Sequence, residues 1–200
     1  RCILKLSEFF HDLNSLKSIQ LVIDNFLFAS TLLKSLTNPS NLNSLALGIP
    51  VKDQKQLNEL TLLIGNFPNL SRLAIRNLVS VQFQADEGYR KFFDQISRFG
   101  RLTCLEINLY SQSTDSLEPD TLNGCMGKFA KCLEKLHELD EMIFKQSEHC
   151  AQDELGLLAN ALNKKGSKLR KLTIEFVNKN EKVDHLGILN VAFAKMKSLE

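Results

Sequence analysis

Few residues in this chain combine the type and spacing that catalysis or metal binding requires. His11, His137, His149 and His185 lie in different segments, and no His-Glu-x-x-His spacing puts two ligands on one helix face. Glu148, His149 and Cys150 stand together and suggest part of a metal site, but no CxxC or HxxxH partner completes it. Cys125 and Cys132 fall on an apolar helical stretch and read as small buried hydrophobes. The acidic pairs Asp140–Glu141 and Asp153–Glu154 read as a solvated turn and a helix start rather than an acid–base couple. The sequence has neither a glycine-rich phosphate loop nor a Gly-x-Ser-x-Gly elbow. The chemistry expected is therefore recognition, without catalytic residues, cofactor, metal or small-molecule substrate.

The elements that must present a recognition surface announce themselves by repetition. Phe67-Pro68-Asn69-Leu70-Ser71-Arg72-Leu73-Ala74-Ile75 reads as a helix end, a turn and a short strand, in the pattern apolar-x-x-Leu-x-x-Leu-x-Ile. The phrase recurs at Leu13/Leu16/Ile19/Leu21, Pro39/Leu42/Leu45/Leu47, Phe99/Leu102/Leu105/Ile107, Leu136/Leu139/Met142/Phe144 and Gly166/Leu169/Leu172/Ile174. Met196 and Leu199 begin a seventh copy. The central apolar positions are about 26, 28, 32, 37 and 30 residues apart, against the ~20–29 of regular leucine-rich units.

Between these phrases lie segments with helical periodicity: 26–36, 56–64, 88–96, 125–136, 153–162 and 185–195, with Asp153 and Asp184 as candidate N-caps. A strand of three to five residues plus one helix cannot bury its apolar faces alone. Stacking such units lines their leucines into one core and their strands into a parallel sheet.

On these residues the chain resembles leucine-rich-repeat proteins, and its helical segments make it similar to the intracellular ribonuclease-inhibitor-like class. The resemblance runs from about Phe9 to Glu200. It implies an α/β fold: a curved solenoid with short parallel strands on the concave face and helices on the convex face, residues 1–200 forming one domain of about six repeats plus the start of a seventh. Where the family usually places Asn or Cys after the strand, this chain has Asp24, Pro50, Leu78, Tyr110, Ser147 and Val177, so irregular turns without a side-chain ladder are expected. Asn77–Glu87, with Val79, Val81 and Phe83, reads as an extra edge-like extension. Ser111–Asp120 reads as a polar insert of the kind that sits at a rim and often carries function.

Strand residues adjacent to inward leucines point to the other face. That rule gives the exposed surface as Ser18, Gln20, Val22; Ser44, Ala46, Gly48; Arg72, Ala74, Arg76; Cys104, Glu106, Asn108; Glu141, Ile143, Lys145; and Lys171, Thr173, Glu175. Of these, Gln20, Arg72, Arg76, Glu106, Asn108, Lys145, Lys171 and Glu175 are the candidate partner-binding residues. Arg72 and Arg76 should point the same way, with Ala46 and Gly48 on one side and Glu106 and Asn108 on the other. Glu106 is expected to pair with one of the two arginines, at about 0.2–1 kcal/mol for an exposed pair, leaving the patch open to a partner's carboxylates.

Composition bounds the partners. With 25 basic and 23 acidic residues, the net charge of +2 makes no electrostatic case for nucleic acid or an anionic membrane. No apolar run approaches the ~18 residues of a membrane span. The odd count of 5 cysteines argues against a disulfide framework and for a reducing, intracellular setting, with the cytoplasm expected. The chain starts at Arg1 without a methionine and stops at Glu200 within a repeat, so a longer parent is expected, with more repeats or a partner covering the C-terminal end. The function expected is a non-enzymatic scaffold for protein–protein interaction, or a subunit of a larger assembly. The alternatives are a regulator such as a small-GTPase activator, for which no matching arginine or asparagine motif is present, and a repeat domain attached to a catalytic domain outside this chain.

Overall fold

The computed structural model describes residues 2–80, 86–111, 125–146, 152–165 and 168–176. Helix α1 (Cys2–Asp12) precedes six strands: β1 (Ser18–Val22), β2 (Ser44–Val51), β3 (Arg72–Ser80), β4 (Cys104–Ser111), β5 (Glu141–Gln146) and β6 (Lys171–Phe176). Between them come α2 (Phe26–Lys34), α3 (Gln54–Gly65), α4 (Asp86–Ile96), α5 (Cys125–Lys135) and α6 (Gln152–Lys165). The strands form one 6-stranded sheet in chain order, every neighbour parallel. This is an α/β fold consistent with the leucine-rich-repeat resemblance.

The recurring phrase is the interior of that fold. Its central positions Ile19, Leu45, Leu73, Leu105 and Met142 are buried and stand opposite one another from strand to strand, with Leu172 at the end partly buried. Leu42, Leu70, Leu102, Leu139 and Leu169 make a second buried row, and Leu47, Ile75, Ile107 and Phe144 a third. Each buried side chain of this size contributes about 1.5–3 kcal/mol by leaving water. The helices close the core from one side at helical spacing: Leu57, Leu60, Leu63 and Ile64 from α3; Tyr89, Phe92, Phe93 and Ile96 from α4; Phe129, Cys132 and Leu133 from α5; Leu155, Leu158 and Leu162 from α6. Phe93, Phe129 and Phe144 carry an aromatic row across α4, α5 and β5, with centroids 5.3 and 4.6 Å apart.

Consecutive units are tied by one recurring backbone device. Just before each of β2 to β6, a carbonyl of the preceding unit (Lys17, Asn43, Ser71, Thr103, Asp140) accepts two successive N–H groups from the next: Asn43/Ser44, Ser71/Arg72, Thr103/Cys104, Asp140/Glu141 and Arg170/Lys171. Side chains reinforce the same corner. Asn41 Nδ2 donates to the Asn14 carbonyl at 2.7 Å, Asn69 Nδ2 to that of Ser40 at 2.8 Å, and Thr103 Oγ1 to that of Ser71 at 3.0 Å. A ladder of side chains on turn backbone therefore exists at the turn before the strand, the opposite corner from the one where the consensus asparagine is replaced.

Several expectations are corrected. Strands β2, β3 and β4 have 8, 9 and 8 residues, longer than anticipated. Pro50, Leu78 and Tyr110 accordingly lie inside strands rather than in turns, because pairing resumes after register shifts at Gly48/Val51 and Ile75/Leu78. The 77–87 stretch is no edge over its first part: β3 runs to Ser80, with Val79 opposite Tyr110 and Ser80 opposite Ser111, between β2 and β4. Residues 81–85, the insert beyond Ser111, Glu148–Cys150, Ser147, Val177, and the expected helix and strand start from Asp184 to Leu199 lie outside the described residues. Asp153 falls within α6, which begins at Gln152, rather than at the residue before the helix. Among the described residues, Asn25 caps α2, accepting from Phe28 N at 3.0 Å, and Asp53 caps α3, accepting from Gln56 N at 2.7 Å. Among the described residues no helix is long and apolar enough to cross a membrane.

Candidate functional site

On the side away from the helices, the strand positions between the buried ones form three rows. The register sets Ser18, Ser44, Arg72, Cys104, Glu141 and Lys171 in the first, and Gln20, Ala46, Ala74, Glu106, Ile143 and Thr173 in the second. Val22, Gly48 and Arg76 begin the third, and Asn108, Lys145 and Glu175 complete it beyond the β3–β4 shift. All eight candidate residues thus share one face. They are not equally open: Gln20, Arg72, Lys171 and Glu175 are exposed, Arg76, Glu106 and Lys145 half-buried, and Asn108 buried.

Charge divides this face. The β1–β2 half is neutral and small, whereas β3 to β6 carry a network of ion pairs. Arg76 grips Glu106 with two parallel bonds, Nε to Oε1 at 2.8 Å and Nη2 to Oε2 at 2.7 Å. Asn108 Nδ2 donates to the same carboxylate at 3.2 Å. The Arg76 hydrogen bonds hold the Glu106 carboxyl below the usual glutamate range despite its burial, and Glu106 in turn raises Arg76. Lys145 Nζ meets Glu175 at 2.6 Å, and Arg72 reaches across β4 to Glu141 at 3.5 Å. Glu106 therefore chooses Arg76. Of the neighbours expected for the two arginines, Gly48 stands opposite Arg76 and Glu106 bonds it, whereas Ser44 and Cys104 stand beside Arg72 and Ala46 falls opposite Ala74, because units pair position for position.

Two features escaped sequence reasoning. Asn108 is buried although its parity places it on the open face, and its Oδ1 has no hydrogen-bond partner. Lys165 is buried in α6 and donates to the Leu136 carbonyl just beyond α5 at 2.6 Å, closing a neighbouring helix's C-terminus. Its place in the last turn of an apolar-striped helix was the available signal, but a lysine there also suits the helix's own carbonyls.

For chemistry the arrangement offers little. Cys104 lies between Arg72 and Glu141 in the first row, yet burial pushes its thiol up to about 11, far from the thiolate a nucleophile needs. Cys104, Cys125 and Cys132 are buried and in no disulfide. Among the described residues no group of three His, Cys, Asp or Glu is placed to hold a metal. What the face can do is meet another surface with a rim of oriented charges.

No family model matches the chain, and none of the curated proteins matches it. Among solved structures it is similar to internalin C2 of Listeria monocytogenes, at 15% identity over 90% of this chain and 70% of that one, with a TM-score of 0.39. A likeness that distant bears on neither the architecture nor the function.

Proposed function

We propose that this chain is a leucine-rich-repeat solenoid segment, residues 1–200 forming one repeat domain, that works as a non-enzymatic docking scaffold for another protein inside the cell. The contact surface is the helix-free sheet face, concave in such an array. The observation that carries the reading is the register of its three rows, which gathers residues from six strands into one open surface with its charges at β3 to β6. Extended surface is what stacked repeats supply.

Within this face the roles separate. Arg76 and Glu106 satisfy each other, Asn108 adds one bond to the same carboxylate, and the three fix the surface's shape. Arg72, whose side chain is 59% exposed and held only by a 3.5 Å contact, and Lys171, exposed and outside any ion pair among the described residues, face outward. They are the cations available to a partner's carboxylates, and arginine is a frequent interface anchor. Alanine at both Arg72 and Lys171 tests the reading against a partner captured with the unaltered chain. Loss of about 2 kcal/mol or more of binding is expected. Binding within about 0.5 kcal/mol of the parent, with folding intact, would remove this face as the site and move attention to the 111–120 insert. Stimulated GTP hydrolysis by a small GTPase would favour the regulator instead.

A further inference from the structure

Because every strand runs the same way, the turns that lead into them line up along one border of the sheet. Each strand is entered through a four-residue step of pattern x-Leu-x-x, at 15–18, 41–44, 69–72, 101–104, 138–141 and 168–171. The leucine of each step turns toward the core. The other positions are polar, Cys104 aside. They hold six basic residues (Lys17, Arg72, Arg101, Lys168, Arg170 and Lys171) and three acidic ones (Glu138, Asp140 and Glu141). Six less three leaves a surplus of three positive charges, which exceeds the net +2 of the whole chain, so the remainder is net acidic.

Each carboxylate on this border is already held. Lys168 meets Glu138 at 3.2 Å, Arg170 grips Asp140 with two bonds of 2.6 Å, and Arg72 lies 3.5 Å from Glu141. Cations are left over. Lys17, Arg101 and Lys171 are exposed and enter no ion pair among the described residues, and Arg72 keeps 59% of its side chain in water. These four belong to the units of β1, β3, β4 and β6, and at about 4.8 Å per strand they span about 24 Å. The frame beneath them is fixed by the doubled backbone bonds, with Asn69 and Thr103 adding side-chain bonds to the preceding unit.

We propose that this border is the track for an extended acidic segment of the partner protein, which crosses the strand starts with carboxylates set against Lys17, Arg72, Arg101 and Lys171. The proposal rests on the docking reading above and gives the partner its chemistry. About seven extended residues cover the span. Charge complementarity selects the acid, and the pattern of the charges selects a peptide over nucleic acid. Glu138, Asp140 and Glu141 interrupt the cations between Arg101 and Lys171 and repel a backbone charged at every phosphate, whereas a peptide carries acids only where cations stand.

The test is fluorescence anisotropy of a dye-labelled decapeptide of alternating Glu and Ser, which sets its carboxylates on one side when extended, titrated with the full chain at low ionic strength. Binding is expected, weakening as salt rises and gone near about 1 M, where the screening length is about 3 Å. A decapeptide of alternating Gln and Ser should not bind. Lys17→Gln with Arg101→Gln should raise Kd about fivefold or more, as should Arg72→Ala with Lys171→Ala, each with the circular dichroism spectrum retained. Lys91→Gln, on α4 in the helix layer, should leave Kd unchanged. No binding at low salt, equal binding of the Gln–Ser peptide, or tighter binding of a single-stranded oligodeoxynucleotide would overturn the proposal. Unchanged binding in the Lys17 and Arg101 variant would overturn it too. The docking reading is separable: a captured partner that is lost with Arg72 and Lys171 while the acidic peptide fails to bind keeps the sheet face and removes the track.

Discussion

Removing the carboxylate of Glu106 should cost more than removing the guanidinium that grips it. Arg76 is 41% exposed at its side chain, and truncating it leaves Glu106, 13% exposed, with Asn108 as a remaining donor. Truncating Glu106 instead strips Asn108 of its one hydrogen bond and leaves the whole amide buried and unpaired, its Oδ1 already being so. An ion pair screened by water on its arginine side contributes about 1 kcal/mol, and a buried polar group left without a partner costs about 1–3 kcal/mol. Discounting the pair for the wetness of Arg76, Arg76→Ala should cost about 1 kcal/mol, Glu106→Ala about 2 kcal/mol, and their coupling about 1 kcal/mol. Urea unfolding of the two single variants and the double variant measures all three. A chain of this size should also lose about 2–4 °C in Tm per kcal/mol.

The pH dependence adds a second reading of the same pair. The folded-state pKa of Glu106 is lowered below 4.5, chiefly by the Arg76 hydrogen bonds, so the unfolded chain takes up this proton first as pH falls. Its stabilising contribution is complete above that value and disappears as pH drops through the lower folded one. The wild type's advantage over Glu106→Gln should shrink only in that acid window. If Arg76→Ala proves as costly as Glu106→Ala, or the pair shows no coupling, the picture of Glu106 as the hub is refuted.

Three further outcomes follow from particular contacts. Burial lowers the folded-state pKa of Lys165 below its ordinary 10.5, so the unfolded chain holds that proton more tightly and stability should rise as alkaline pH releases it from the fold; Lys165→Met should flatten that rise in denaturant midpoints. Asp53→Ala removes the cap on α3 and should cost about 1 kcal/mol in thermal or chemical unfolding, with the aromatic core's near-ultraviolet signal retained. Phe129→Ala opens the row between Phe93 and Phe144 and should cost about 3–5 kcal/mol by the same measurement.

The interior of this protein was legible because leucine spacing reports burial directly. Leu45, Leu73 and Leu105 recur with the same phrase around them, and period-two alternation then names the residues of the opposite face. Strand length was not legible: Pro50 and Leu78 look like turn residues until the register shifts that keep them paired are seen. Helix α1 was missed although Ile3, Leu6 and Phe10 have helical spacing, because it lies before the first copy of the phrase. The doubled backbone bonds before each strand involve no side chain and leave no trace in residue type. Among the face residues, sequence named the participants but not the pairing, since the choice of Glu106 between Arg72 and Arg76 depends on which guanidinium lies nearer across the β3–β4 shift.

The central claim, that the helix-free sheet face meets another protein, is tested most directly by placing a photo-crosslinking amino acid at two positions of the full chain. Ala74 lies in the middle row of that face, and Leu62, 73% exposed, lies on α3 on the other side of the sheet. Irradiation in cell extract should give one discrete, mass-shifted adduct from position 74 and none from position 62. An adduct from position 62 with none from position 74 would contradict the claim.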